Sequence, residues 1–170
     1  MAALNVAHDY DCSAETFFRR CVLDRSYNEE LYRTLGFPKF EWLELRDEGA
    51  KVHRKIRVQP TTGNLPGPIQ KIVGEGISYV EEGTYDTEAR RFDFRVFPSA
   101  LGDKADVTGS LWCTDRNGGV VRHARFDARI KVFGIGSLIE EKMLENYKRS
   151  FDAAAQFTAG YLERHGLRTT

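Results

Sequence analysis

Residues 4–10 alternate between apolar and polar or small side chains, a period of two that is typical of a half-buried β-strand. Ser13 follows and can cap a helix, so a first short helix is expected directly after it. A second short helix is predicted over about 27–35, because Gly36 follows it and Pro38 prevents its continuation. The chain therefore opens with one strand and two short helices.

From about residue 40 to residue 132 the period of two returns, interrupted by turns rich in Gly, Pro and Asp. Six strands are predicted, over residues 40–45, 51–58, 77–86, 90–97, 105–114 and 120–132. Residues 69–73 lie between the second and third of these strands and are expected to form one or two helical turns.

The end of the chain has apolar residues at spacings of three and four, which predicts one long amphipathic helix. We expect it to run from Ser137 to Glu163, roughly 40 Å at 1.5 Å per residue. Ser137 with Glu140 three residues later matches a capping box at its start, and Gly166 follows its end.

This order of elements predicts an α+β fold, in a single domain over residues 1–170. No repeat, low-complexity tract or change in composition divides the chain. A curved antiparallel sheet of about seven strands would twist and wrap around the C-terminal helix that covers its apolar face. The space between them is either a packed core or a cavity.

Two segments resemble a known family. At 65–74 a Leu-Pro pair and a short helical segment interrupt the sheet, and at 130–140 the last strand passes through Gly134 and Gly136 into the helix. Together with the element order, these segments resemble the START-like superfamily, also called helix-grip or SRPBCC. They are most similar to an uncharacterised bacterial START-like lipid-binding family. The joint into the helix is also similar to sterol-transfer domains of the VASt type.

The resemblance implies a helix-grip fold with a hydrophobic pocket between the sheet and the C-terminal helix. The expected ligand is a lipid, a fatty acid or a sterol, and transient contact with a membrane is compatible with such a role. A loop near the helix would control access to the pocket. The candidate gates are residues 60–74, with Leu65 and Ile69, and residues 98–104, with Leu101.

The residues expected to line this pocket come from one parity of the strands and one side of the helix. They are Arg54, Ile56, Tyr79, Phe92, Phe94, Leu111, Arg122, Phe126, Met143, Tyr147 and Phe151. Most are apolar, as a packed core also requires, so a filled core is the alternative interpretation.

Arg54 and Arg122 are the polar exceptions on this apolar face. A guanidinium stays charged, so inside a protein it needs a carboxylate, a carbonyl or the polar group of a ligand. Both are therefore candidates for polar recognition of a ligand. Alternatively, each lies near a strand end or pairs with an acid such as Glu81 or Asp86.

Composition narrows the class of function. The 170 residues carry 25 Lys and Arg and 25 Asp and Glu, and this zero net charge gives no reason to expect nucleic acid as a partner. It also leaves the oligomeric state open. The start of the chain lacks the features of a signal peptide, and no apolar run reaches the length of a membrane span, so we expect a soluble cytoplasmic protein.

The residue types that carry metal or thiol chemistry do not form a recognisable site. Cys12, Cys21 and Cys113 lack CxxC spacing and are expected to be reduced and buried. Among the histidines, only His8 falls on an inward-facing position within a predicted strand, where a hydrogen-bonded core residue is expected. No cofactor and no metal are therefore expected.

A non-enzymatic protein that binds or transfers a hydrophobic molecule is the leading hypothesis. The alternative on the same fold is an enzyme similar to polyketide cyclases or aromatases, which needs an acid or base in the cavity. The candidates for that role are Glu81, Tyr79, His8, Tyr147 and Asp127. A module that binds a protein partner is a third hypothesis, and it predicts an exposed apolar patch instead of an enclosed cavity.

Overall fold

The computed structural model describes residues 1–61, 65–74 and 76–169. These residues form the strands β1 (Ala2–Tyr10), β2 (Lys39–Asp47), β3 (Lys51–Gln59), β4 (Tyr79–Asp86), β5 (Arg91–Pro98), β6 (Ala105–Arg116) and β7 (Gly119–Ile130). They also form the helices α1 (Ala14–Phe17), α2 (Arg25–Thr34), α3 (Gly67–Val73) and α4 (Gly136–Arg164). A π-helical turn, Phe18–Val22, continues α1, and a 3₁₀ turn, Gly102–Lys104, precedes β6.

All seven strands belong to one antiparallel sheet with the order β1-β7-β6-β5-β4-β3-β2. Strands β2 to β7 lie side by side in the order of the chain, and β1 pairs with β7 as the edge strand on that side. The turn between β6 and β7 shows how the sequence permits this: Arg116 pairs with Gly119, and Gly118 has φ +83°, which glycine adopts without strain. The predicted α+β architecture is confirmed.

Helix α4 packs against β1 and β7 and contacts α2. It has 29 residues, about 43 Å at 1.5 Å per residue. A buried hydrogen bond of 2.7 Å joins the hydroxyls of Tyr27 in α2 and Thr158 in α4. The two helices are thus held together on the inward side of the sheet.

The predicted capping box at the start of α4 is wrong. The helix begins at Gly136, and no side chain caps it. Glu140 instead accepts a hydrogen bond of 2.8 Å from the backbone N–H of Ile130, at the end of β7, and is 6% exposed. A side chain at Gly136 would lie 2.4 Å from the carbonyl oxygen of Ile130, so the strand and helix approach closely here. Because the strand and the helix are so close, the Glu140 carboxylate reaches the backbone N–H of Ile130 and does not cap the helix.

The remaining differences from the predicted elements are small. Ser13 caps α1 as expected, with its hydroxyl accepting from the N–H of Thr16 at 3.1 Å. Strand β4 begins at Tyr79, two residues later than predicted, and β7 ends at Ile130, two residues earlier. The π-helical turn after α1 was not predicted, because the spacing of its apolar residues resembles that of an α-helix.

Candidate functional site

A cavity of about 210 Å³ lies between the inward face of the sheet and α4. Residues of α1, α2 and α3 complete its wall. Most of the lining side chains are apolar or aromatic, and two arginines and one glutamate are the charged groups among its buried residues. This arrangement is typical of a site for an apolar ligand with few polar groups.

Most of the residues predicted to line a pocket meet at this cavity. Those from the sheet and the helix are Arg54, Tyr79, Phe92, Phe94, Leu111, Arg122, Met143, Tyr147 and Phe151. The three predicted gate residues, Leu65, Ile69 and Leu101, also line it. The structure thus brings together predicted side chains from β3 to β7, from α3 and α4, and from two loops.

Ile56 and Phe126 have the predicted inward orientation but do not line the cavity. Both side chains are fully buried. The ring of Phe126 is covered by Tyr147, with the ring centroids 3.6 Å apart. These two residues therefore belong to the packed part of the interior, and their assignment as lining residues is corrected.

Two glycines shape the inward face of the sheet below the cavity. A Cβ at Gly83 would lie 2.0 Å from Cζ of Phe92, and a Cβ at Gly109 would lie 2.1 Å from Cζ of Phe94. Each phenyl ring therefore occupies the space that a side chain on the neighbouring strand would fill. Because glycine has no side chain, each ring can pack against the neighbouring strand, and the rings therefore occupy less of the cavity volume.

Arg54 forms a buried ion pair with Glu81, and each residue is 6% exposed. The Arg54 Nη1 atom also donates to the carbonyl oxygen of Val22 at 2.8 Å and to Asn28 Oδ1 at 3.3 Å. Its guanidinium lies 4.8 Å from the ring centroid of Phe92. The charge of Arg54 is thus balanced by the Glu81 carboxylate on the neighbouring strand β4, which is the pairing with an acid that the sequence offered as an alternative.

Arg122 has a different environment. It is 3% exposed, and no carboxylate of the described residues lies within 4.0 Å of its guanidinium. Its Nη2 atom donates to His8 Nδ1 at 2.6 Å, and its charge lies 5.5 Å from the ring centroid of Tyr10 and 5.2 Å from that of Phe151. A neutral imidazole and two aromatic faces therefore surround this cation.

The two ring nitrogens of His8 have distinct roles. An arginine only donates, so Nδ1 accepts from Arg122, and Nε2 carries the proton that His8 donates to Asp152 Oδ1 at 2.8 Å. Asp152 also accepts from Lys148 at 2.8 Å, and these hydrogen bonds hold its pKa below the usual value. His8 thus links the cavity wall to the surface of α4.

Tyrosines supply the other polar atoms near the cavity. Burial raises the pKa of Tyr79 and Tyr147 well above the usual value, and it raises that of Tyr32 as well. These phenols therefore stay protonated at neutral pH and can donate hydrogen bonds.

Three buried side-chain polar atoms of the described residues have no hydrogen-bond partner: Arg54 Nε, Arg122 Nε and Tyr147 Oη. All three residues line the cavity. A buried polar atom without a partner is uncommon and costs free energy. A ligand with hydrogen-bond acceptors would satisfy these atoms.

Sequence reasoning missed Asn28 as a supporting residue. It is 2% exposed, and its Nδ2 atom donates to the carbonyl oxygens of Cys21, Val22 and Asp24 at 3.1, 3.1 and 2.7 Å. These carbonyls lie where the π-helical turn ends, so Asn28 and Arg54 together satisfy them. The signal in the sequence is only an amide on an otherwise apolar helix face.

The gate segments contribute to the cavity wall. Ile69 of α3 is 3% exposed and Leu101 is 5% exposed, so both side chains are buried against the core cluster. Residues 62–64, within the predicted gate 60–74, lie outside the described residues. Which segment opens remains a prediction.

Other candidate groups lie away from the cavity or are unreactive. Asp127 lies outside the cavity lining and receives two hydrogen bonds from Arg125, at 2.7 and 2.8 Å. Burial raises the pKa of Cys12 to about 11 and that of Cys113 to about 12. Within residues 1–61, 65–74 and 76–169, no cluster of three metal-binding side chains occurs. None of the described helices combines the length and apolarity needed to cross a membrane.

Comparison with solved structures identifies the same fold over nearly the whole chain. The protein TTHA0849 from Thermus thermophilus has a TM-score of 0.62 at 16% identity, covering 91% of this chain and 95% of that one. The Zhui aromatase/cyclase from Streptomyces sp. R1128 has a TM-score of 0.60 at 15% identity, covering 96% and 95%. A START superfamily protein from Mycobacterium smegmatis has a TM-score of 0.59 at 12% identity, covering 95% and 97%.

These similarities confirm the START-like helix-grip fold. At such low identity they establish the fold alone. No curated protein sequence matches the chain. A family described as "Protein of unknown function (DUF2505)" matches residues 5–162. The chain therefore belongs to the DUF2505 family.

Proposed function

We propose that this protein binds a hydrophobic small molecule in the cavity between the sheet and α4, and that it does so without catalysis. The observation that carries the proposal is the apolar cavity of about 210 Å³, whose wall contains polar atoms without protein partners. A filled core would leave no such space. A long helix packed over a concave sheet supplies the enclosure that an apolar ligand requires.

The cavity volume limits the size of the ligand. An apolar cavity of about 150 Å³ holds benzene, and sites for drug-sized ligands begin at about 300 Å³. The 210 Å³ here accommodates a molecule somewhat larger than benzene, such as a medium-length acyl chain. Among lipids, fatty acids and sterols, the volume favours a fatty acid, because a sterol would require the cavity to expand.

The candidate gates would control access to the cavity. Leu65 and Ile69 belong to one gate and Leu101 to the other, and all three contribute side chains to the wall. Displacement of residues 65–74, or of residues 99–104 between β5 and β6, would open the cavity without breaking a strand pairing of the sheet.

Two of the groups considered for catalysis are engaged in polar contacts, and two others are phenols that do not ionise at neutral pH. Glu81 is paired with Arg54, His8 joins Arg122 to Asp152, and the Tyr79 and Tyr147 phenols have raised pKa values. A general base needs a free lone pair and a pKa near the working pH. These contacts favour binding over an aromatase or cyclase activity.

The proposal is tested with a substitution on α4 whose larger side chain fills the cavity. Ala154 lines the cavity, whereas its neighbour Ala153 is exposed on the same helix and does not line it. Ala154→Phe should abolish binding of octanoate and 1-octanol, measured by isothermal titration calorimetry. Ala153→Phe is the matched control and should bind both as the unaltered protein does.

Native mass spectrometry of the purified protein, with added fatty acids and sterols, would identify the ligand class. Circular dichroism establishes that both variants are folded. Absence of binding by the unaltered protein to octanoate, 1-octanol and the wider panel would reject the proposal. Undiminished binding by folded Ala154→Phe would place the ligand elsewhere.

A further inference from the structure

The two buried arginines of the cavity wall differ in how their charges are balanced. Arg54 is paired with Glu81, so that end of the wall is neutral overall. Arg122 has a neutral imidazole as its hydrogen-bonding partner and two aromatic faces around it. Aromatic faces and an imidazole lone pair attract a cation but do not neutralise it.

The charges around Arg122 sum to an excess of one positive charge. The connected groups are Arg122, His8, Asp152 and Lys148. His8 is neutral, and the single carboxylate is shared with Lys148 at the surface, where the Asp152 side chain is 46% exposed. The uncompensated charge therefore lies at Arg122, the buried end of the connected groups.

A buried cation without a counter-ion is costly, and proteins rarely retain one without a partner. The Arg122 Nε atom also lacks a hydrogen-bond partner. By charge and by hydrogen bonding, Arg122 is thus suited to bind an anion with at least one acceptor oxygen. No carboxylate of the described residues lies within 4.0 Å of the guanidinium, and Arg122 lines the cavity, where a ligand can reach it.

We propose that the ligand is an apolar molecule with one carboxylate, and that Arg122 is the residue that binds this carboxylate. The inference rests on the proposed function, because it assigns the polar end of the ligand in the same cavity. A single negative charge matches the excess of one positive charge. The planar carboxylate is also the group that a guanidinium binds best, through charge-assisted hydrogen bonds.

The requirement for a carboxylate distinguishes ligand classes that the apolar wall of the cavity does not distinguish. A fatty acid has both the acyl chain and the carboxylate, whereas a sterol or a hydrocarbon has no negative charge. Arg54, the other candidate for polar recognition, would contribute less to anion selectivity, because Glu81 already neutralises it. The aromatic faces of Tyr10 and Phe151 would pack beside the bound group.

The test compares two probes of similar size that differ in charge, octanoate and 1-octanol, by isothermal titration calorimetry at neutral pH. The unaltered protein should bind octanoate more tightly. In Arg122→Gln the affinity for octanoate should fall roughly 10- to 150-fold, the value of hydrogen bonds to a charged group, while the affinity for 1-octanol stays within about twofold. Arg122→Lys, which keeps the charge, should retain part of the preference.

Arg125 provides the matched control, since it lies on the same strand, is paired with Asp127 and does not line the cavity. Arg125→Gln should leave both affinities unchanged. Equal affinity of the unaltered protein for the two probes would overturn the inference and leave the proposed function standing. An equal loss of both affinities in folded Arg122→Gln would also overturn it. Failure of the unaltered protein to bind either probe or any member of the wider panel of fatty acids and sterols would reject the proposed function itself.

Discussion

Replacing Gly109 by alanine tests whether glycine in the sheet creates the cavity. Gly109 lies on β6 opposite Phe94 of β5, and its backbone conformation is one that alanine also adopts. The new Cβ would lie 2.1 Å from Cζ of Phe94, whereas ordinary contacts begin at 3.4 Å. The ring must therefore move by about 1.3 Å. The sheet is on one side of the ring, so it moves into the cavity.

The cost of this movement follows from overpacking, which typically destabilises a protein by about 1–3 kcal/mol. Because space lies next to the ring, we expect the lower half of that range. For a chain of this length that corresponds to a fall in Tm of about 2–8 °C. If the ring displaces one or two CH₂ groups of the ligand, each worth about 0.8 kcal/mol, the Kd rises about 4- to 15-fold.

Thermal unfolding followed by circular dichroism measures the change in Tm, and calorimetric titration with 1-octanol measures the change in Kd. Phe94→Leu removes the Cζ atom that meets the new methyl group, so the double variant Gly109→Ala/Phe94→Leu should be more stable than the two single changes predict. Gly160→Ala is the control, because Gly160 is exposed on α4 with no neighbouring atom within 4 Å. An unchanged Tm and Kd in Gly109→Ala would refute the role of glycine below the ring.

Three further predictions concern charge, thiols and backbone. Glu81→Ala leaves Arg54 buried without its counter-ion and should cost about 3–5 kcal/mol by urea denaturation, whereas Arg54→Met/Glu81→Leu should recover most of it; equal losses would contradict this. Cys12, with a pKa raised to about 11 by burial, is about one-thousandth ionised at pH 8, and Cys113, with a pKa of about 12, is ionised less. Ellman's reagent should therefore label the native protein at least about 100-fold more slowly than the urea-unfolded chain, and rapid native labelling would show exposed thiols. Gly160→Ala should stabilise the protein by about 0.5–1 kcal/mol in urea denaturation, because Gly160 is an exposed glycine within α4; unchanged or lower stability would contradict this.

Much of the architecture could be predicted because it depends on local preferences. The period of two marks every strand, and the spacing of three and four marks α4. Gly36 and Gly118 stand where the backbone requires positive φ. These signals operate within a few residues, so they are readable without knowledge of the rest of the chain.

The inward face was also predictable, because side chains alternate strictly along a strand. This placed Arg54 and Arg122 on the apolar side, where both are buried. The same rule cannot separate residues that share a face but differ in depth. Phe126 and Phe94 have the same orientation, yet only Phe94 reaches the cavity, because the Tyr147 ring covers Phe126.

The roles of individual polar residues depended on distances between segments far apart in the chain. Glu140 has the spacing of a capping residue, but the close approach of β7 makes its carboxylate the partner of Ile130. Arg54 and Arg122 are equivalent in pattern and differ only because Glu81 of β4 pairs with Arg54, whereas His8 of β1 is the partner of Arg122.

The sequence by itself determined the order of the elements, the inward face of the sheet and the presence of two cations on it. Local backbone preferences and side-chain alternation are sufficient for these. The tertiary structure alone decided that a cavity remains under α4 and that Arg122 has no counter-ion among the described residues there. Both depend on packing and charge in three dimensions, and neither leaves a periodic signal along the chain.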